Sequence, residues 1–247
     1  MAKGVNAIHG AIIAHWDKIK EHIGRVHSGI QFSPDDGYAV FKVDYASTTA
    51  EEIVITVGPV VINLPERANH HATDLFVVAE GKLNFDLTAF NETGRLVSCG
   101  YASHVGYFKR AHEALEHVYG VHYDFDIDRP AHPVFHAQFK SFGQEFMPHL
   151  QDLCQLTLPL VDRMTGMLQN IRLPIAQLDF FSVIIQLAAD HLMWVDSTND
   201  ERNTFNEIVK LDHAIMGAST VAPWLTQGAG LPCHRAIHWY APLAPAP

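Results

Sequence analysis

With 247 residues, 48% of them hydrophobic and 18% charged, the chain has the composition of a folded protein whose core needs no covalent staples. Its formal charge of −10, from 17 Lys and Arg against 27 Asp and Glu, opposes binding to bulk nucleic acid, which is held through its phosphates by basic side chains. Three distant cysteines without a Cys-x-x-Cys pair, and no apolar run of the roughly 20 residues needed to span a bilayer, give the expectation of a soluble, cytoplasmic protein.

In chain order, Ile8, Ile12, Trp16, Ile19 and Ile23 recur every three or four residues and predict a helix from Val5 to about Ile23 that packs one stripe on the core, with Gly24 as its stop. From Ile30 to about Val105 the pattern becomes β-rich. Pro34-Asp35-Asp36-Gly37 predicts a turn leading into a strand over Tyr38–Tyr45. Ile53–Asn63 reads as strand, but Gly58-Pro59 cannot sit in a regular central ladder and calls for a bulge, a bend or two strands. Further strands are expected over Asp74–Ala79, Leu83–Phe90 and Arg95–Tyr101, with a turn at Asn91-Glu92-Thr93-Gly94 in which Gly94 is free to take positive φ.

Phe108, Ala111, Leu115 and Val118 carry a helical spacing that predicts a short helix over Tyr107–Val118, ended by Gly120. After Phe142 the strand signals stop, and helical spacing predicts helices around 148–171, 174–195 and 200–216, the second with Pro174 in its first turn. The tail after Pro223 is rich in Gly, Pro and Ala, and Trp224, Trp239 and Tyr240 are expected to pin part of it by aromatic packing. The expected architecture is therefore α+β: an N-terminal helix, an antiparallel twisted sheet of about six to eight strands, and a C-terminal helical half packed on the sheet. The boundary between the sheet region (1–145) and the helical region (146–247) falls near 142–150 within one compact body.

The densest chemistry lies in residues 121–139, where polar and apolar side chains alternate on both sides of a proline-bracketed turn and so predict a hairpin. His122, Asp124, Asp126 and Asp128 share one strand face, with Tyr123, Phe125 and Ile127 on the other. Keeping the aromatics of both strands together, with a loop over Arg129–Pro133, pairs Phe125 with Ala137, Asp126 with His136 and Asp124 with Gln138. A carboxylate opposite an imidazole at cross-strand distance orients the ring, which suits a general base or a metal ligand with its supporting partner. His122, Asp124, Asp126 and His136 are the candidate metal ligands, with donors suited to divalent Mn, Fe, Zn or Mg. His136 and Asp126 are also the candidate proton-transfer pair. The competing reading of the same residues is a solvated sheet face.

A second polar stripe, Asp179, Ser182, Gln186 and Asp190 with His191 beside it, runs along an otherwise apolar helix. It is either a thin solvent face with Asp179 in the helix's early turns, or the other wall of a pocket shared with the hairpin, which makes Asp190 and His191 supporting catalytic candidates. Asn69-His70-His71 is a weaker candidate in a loop, and the remaining histidines, spread from His9 to His238, form no tract. No phosphate-binding glycine motif, nucleophile elbow or His-Glu-x-x-His is present. Two functions stand: a metal-dependent or general-base hydrolase acting on a small or guided phosphoester, and a non-catalytic accessory or inhibitory protein that binds a protein partner through the polar hairpin face.

Overall fold

The computed structural model describes residues 2–66, 73–125, 135–155, 157–163, 172–174, 179–193 and 197–216. Helix α1, Ala2–Val26, opens the chain and carries the expected stripe, with Ile8, Ile12, Trp16 and Ile19 completely buried. Burying each such side chain contributes about 1.5–3 kcal/mol, which is what holds a long amphipathic helix to a sheet.

The sheet follows: β1 (Gln31–Ser33), β2 (Phe41–Val43), β3 (Glu52–Leu64), β4 (Leu75–Asp86), β5 (Ser98–Ala111), β6 (Ala114–Phe125), β7 (Phe135–Phe139), β8 (Leu160–Asp162) and β9 (Arg172–Pro174). Its order is β1-β3-β4-β5-β6-β7-β9, with β2 also on β3 and β8 also on β6. Every pairing is antiparallel except β6 with β8. Four helices complete the described chain besides the one-turn α2 (Gly37–Val40): α3 (Leu87–Thr93), α4 (Gly143–Cys154), α5 (Phe180–Leu192) and α6 (Asn199–Met216). The fold is α+β, an N-terminal helix on an antiparallel sheet with helices later in the chain.

The sheet is covered on both faces, and strand parity decides which residues go where. On one face Ile53, Ile55 and Val57 of β3, Val77 and Ala79 of β4, Val105 of β5 and Val121 and Tyr123 of β6 join the α1 stripe and Phe180, Phe181, Ile184 and Leu187 of α5 in the larger core. On the other, Val61, Phe76, Val78, Phe108 and Leu115 pack against Phe142, Phe146, Met147 and Leu150 at the start and along α4. Two bulges keep these faces coherent. At Gly58-Pro59 two residues of β3 stand against Glu80, and the α1-side residues change from odd (53, 55, 57) to even (60, 62, 64).

The second bulge explains a correction. Residues 107–118 are not a helix but the hairpin of β5 and β6, turning at His112-Glu113 with His112 at φ 50°. The pairing skips from Tyr107 opposite Tyr119 to Phe108 opposite His117, so Val118 is extra and the alternation breaks. The hairpin turn puts Phe108 and Leu115 on one sheet face, and the extra Val118 completes a spacing that imitates a helix.

Other boundaries also move. Asp36-Gly37 starts α2, capped by Asp36, before the short β2, and β4 is continuous through the two strands expected there. Gly94 does take positive φ, 70°, but as the C-cap of α3. Past Phe142, α4 ends at Cys154 and β8 follows, so the long helix around 148–171 is not formed, and residues 164–171 are outside the described set. Pro174 ends β9, and α5 begins later, where Asp179 accepts the Ser182 N–H at 3.0 Å as its N-cap. Also outside the described residues are the loop with Asn69, His70 and His71, residues 126–134 with Asp126, Asp128 and Arg129, and the tail with Trp224, Trp239 and Tyr240.

Candidate functional site

The hairpin of β6 and β7 exists, with a register two residues away from the expected one. His136 lies opposite Asp124, His122 opposite Gln138, Tyr123 opposite Ala137 and Phe125 opposite Phe135. A slip of two residues preserves the face of every side chain, so the parity argument that fixed the faces could not choose between the two registers. The expected Asp126–His136 pairing is thus replaced by Asp124–His136, and the expected loop over Arg129–Pro133 lies outside the described residues.

Because Val121 and Tyr123 enter the α1-side core, His122 and Asp124 point to the α4 face. There Asp124 stands between two imidazoles, with Oδ2 at 2.9 Å from His122 Nε2 and Oδ1 at 2.7 Å from His136 Nδ1. These are close ionic contacts and not linear hydrogen bonds, since neither ring N–H is aligned on its oxygen. The two rings lie nearly parallel, 6.0 Å apart. His136 is 2% exposed, whereas His122 and Asp124 are 25% and 24% exposed at the side chain, so the group runs from buried to wet. Burial pushes the Asp124 carboxyl up, but the contacts to His122 and then His136 outweigh it and hold the group well below the ordinary carboxylate range.

The row continues across the sheet into residues that sequence patterning did not single out. His104 of β5 is the cross-strand neighbour of His122, their rings 4.7 Å apart and tilted by 48°. On its other side His104 Nδ1 meets Glu80 Oε1 of β4 at 3.1 Å. Glu80 is the residue opposed by the Gly58-Pro59 bulge, and beside it Gly81 lets β4 and β5 close in: a Cβ there would stand 2.2 Å from the Ala102 carbonyl. Phe142 stacks on the His104 ring at 5.1 Å, and the Lys140 ammonium lies 4.7 Å above the Phe142 ring. The sequence signal for His104 was weak: a histidine in a strand has no visible partner until the β4–β5–β6 register is known.

A separate pair, also not anticipated, lies further along β6. Buried His117 places Nδ1 3.0 Å from Asp162 Oδ1 of β8, and Ser141 donates to the other oxygen of the same carboxylate. This clasp joins β6, β8 and the segment that leads into α4.

Asp190 and His191 do not share the site. The buried face of α5 belongs to the α1-side core, and the His191 ring lies 5.9 Å from Tyr107, a residue packed on that core. The sheet itself therefore separates them from His122, Asp124 and His136. Of the stripe proposed to wall a pocket, Asp179 is 1% exposed and spent on capping, and Gln186 and Asp190 are exposed, which is the thin solvent face of the simpler reading.

Of the four candidate metal ligands, Asp126 lies outside the described residues. Both imidazoles turn a nitrogen onto Asp124 itself instead of toward a common point, and among the described residues no three His, Cys, Asp or Glu side chains are arranged to hold an ion. Among the described residues no helix is long and apolar enough to cross a membrane. Compared with known proteins, the chain matches no family model, no curated protein and no solved structure, so the site is read from its own geometry.

Proposed function

We propose that this chain is a general-base hydrolase of a small phosphoester, with His122 as the base, Asp124 as the carboxylate that orients it and His136 as a buried support. The observation that carries this reading is the contact of one ionised carboxylate with two imidazoles, one buried and one a quarter exposed. A base must reach both its orienting partner and its substrate; Asp124 lies at His122 Nε2, and a quarter of the His122 side chain is exposed, which supports that role. Asp124 stabilises by its charge the imidazolium formed when His122 takes a proton. The unpaired Cys99 supports a cytoplasmic setting.

Hydrolysis of p-nitrophenyl phosphate and of bis(p-nitrophenyl) phosphate tests the reading. The wild type should exceed the buffer rate with at least one of them, and His122→Gln should lose about 100-fold, the lower bound of what a positioned base contributes. If the wild type is no faster than buffer on either, or if His122→Gln and Asp124→Asn both retain full rate, the hydrolase reading is wrong and the polar face is better read as a surface for a protein partner.

A further inference from the structure

We propose that His104, backed by Glu80, is the general acid that complements His122, and that the pair forms a metal-independent site for phosphodiesters; this rests on the hydrolase reading above. The arrangement is a doubled one. Each imidazole has its own carboxylate: Glu80 on His104 Nδ1 at 3.1 Å, and Asp124 on His122 Nε2 at 2.9 Å. Between them the rings face each other at 4.7 Å, a spacing that one tetrahedral group lying over both can bridge. The carboxylates leave His104 Nε2 and His122 Nδ1 as the nitrogens for a ligand. His104 and Glu80 are about as exposed as His122 and Asp124, at 26% and 29%, so neither half is sealed off.

The surroundings give the two rings different tasks. His122 is in contact with Asp124, His104 and the His136 ring, while His104 meets Glu80, His122 and the apolar Phe142. Lys140, which lies over Phe142, pairs with Glu145 of α4. The two rings are close enough for one to take a proton from an attacking water while the other gives one to the leaving oxygen of the same phosphoryl group. The flanking Glu80 and Asp124 repel a dianionic phosphomonoester more strongly than a monoanionic diester. A diester also has the greater need of an acid, because its alcohol leaving group departs poorly as an alkoxide.

The step balances without a further reactant. A water oxygen attacks phosphorus as His122 Nδ1 takes its proton, the bond from phosphorus to the leaving oxygen breaks, and protonated His104 gives its proton to that oxygen. The products are a phosphomonoester and an alcohol, and the two rings return to their starting states by exchanging protons with solvent.

The test compares two diesters in the presence of EDTA: thymidine 5′-p-nitrophenyl phosphate, whose leaving group needs no acid, and the dinucleotide thymidylyl-thymidine, whose leaving group does. His104→Gln should lose about 100-fold on the dinucleotide and much less on the nitrophenyl ester, whereas His122→Gln should lose on both. Glu80→Gln, a milder change to the fold, should show the His104→Gln pattern in reduced form. An equal loss of His104→Gln on both esters, or none on either, overturns the assignment of His104 while leaving the base intact. Activity abolished by EDTA overturns the metal-independent site, and a wild type inert toward both esters overturns the hydrolase reading with it.

Discussion

The two faces of the sheet are built to different rules. The α1 side is closed by α1 and α5 with a continuous apolar and aromatic layer, in which Trp16 meets Phe32, Phe41 and Phe180 ring to ring. On the α4 side, among the described residues, a helix of twelve residues covers Phe76, Val78, Phe108 and Leu115, while β4, β5, β6 and β7 carry the row from Glu80 to His136. Stability is concentrated on the first face, and the second has room for charged groups because little apolar surface has to be buried there. The difference teaches that a polar strand face is informative only with its cover known: on a sheet covered by helices on both sides, half-buried carboxylates and imidazoles are held against one another and not merely wetted.

Four substitutions sharpen or break this contrast. Trp16→Ala, in the fully buried layer of the α1 side, should cost about 3–5 kcal/mol in urea unfolding, by an amount that stays the same above and below about pH 4. Asp124→Asn should cost about 2 kcal/mol at pH 7, since it removes a charged partner from two imidazoles. Here the sign of the pH dependence is fixed. A carboxyl held below its ordinary value in the fold contributes stability that is complete above the unfolded-chain value of about 4 and disappears as pH falls through the lower folded value. The gap between wild type and Asp124→Asn should therefore narrow only below about pH 4; a gap as constant as that of Trp16→Ala would erase the distinction between the faces.

Asp179→Ala should cost about 1 kcal/mol by removing the cap of α5, with the loss seen as faster amide exchange in its first turn. Lys109→Ala, at the rim where Lys109 and Arg163 both approach Glu116, should leave the urea midpoint unchanged. A measurable shift there would show that the rim carries load.

Much of this organisation was legible in the chain. The α1 stripe, the irregularity at Gly58-Pro59 and the sharing of one face by His122, Asp124 and His136 all follow from side-chain period alone. What was not legible has a common cause. Period-2 alternation is blind to a slip of two, which moved the partner of His136 from Asp126 to Asp124, and a bulge imitates helical spacing, which hid the β5–β6 hairpin. His104 and Glu80 could not be joined to the site because their meeting depends on long-range register across three strands. The α5 stripe was misplaced for a different reason: helical periodicity tells which side chains share a face but not which side of the sheet the helix will occupy, and α5 joined α1.

The odd pairing of β6 has its own consequence. Its outer edge is filled twice, by parallel β8 along Leu115–His117 and by antiparallel β7 along Val121–Phe125, with Lys140 N–H bonding the Gly120 carbonyl between them. A long strand exposed at that edge would offer a row of free amides and carbonyls to a second chain; capped by two short strands running in opposite directions, it presents no uninterrupted template for another strand to add to. The His117–Asp162–Ser141 clasp ties β8 to β6 and to the segment that follows β7.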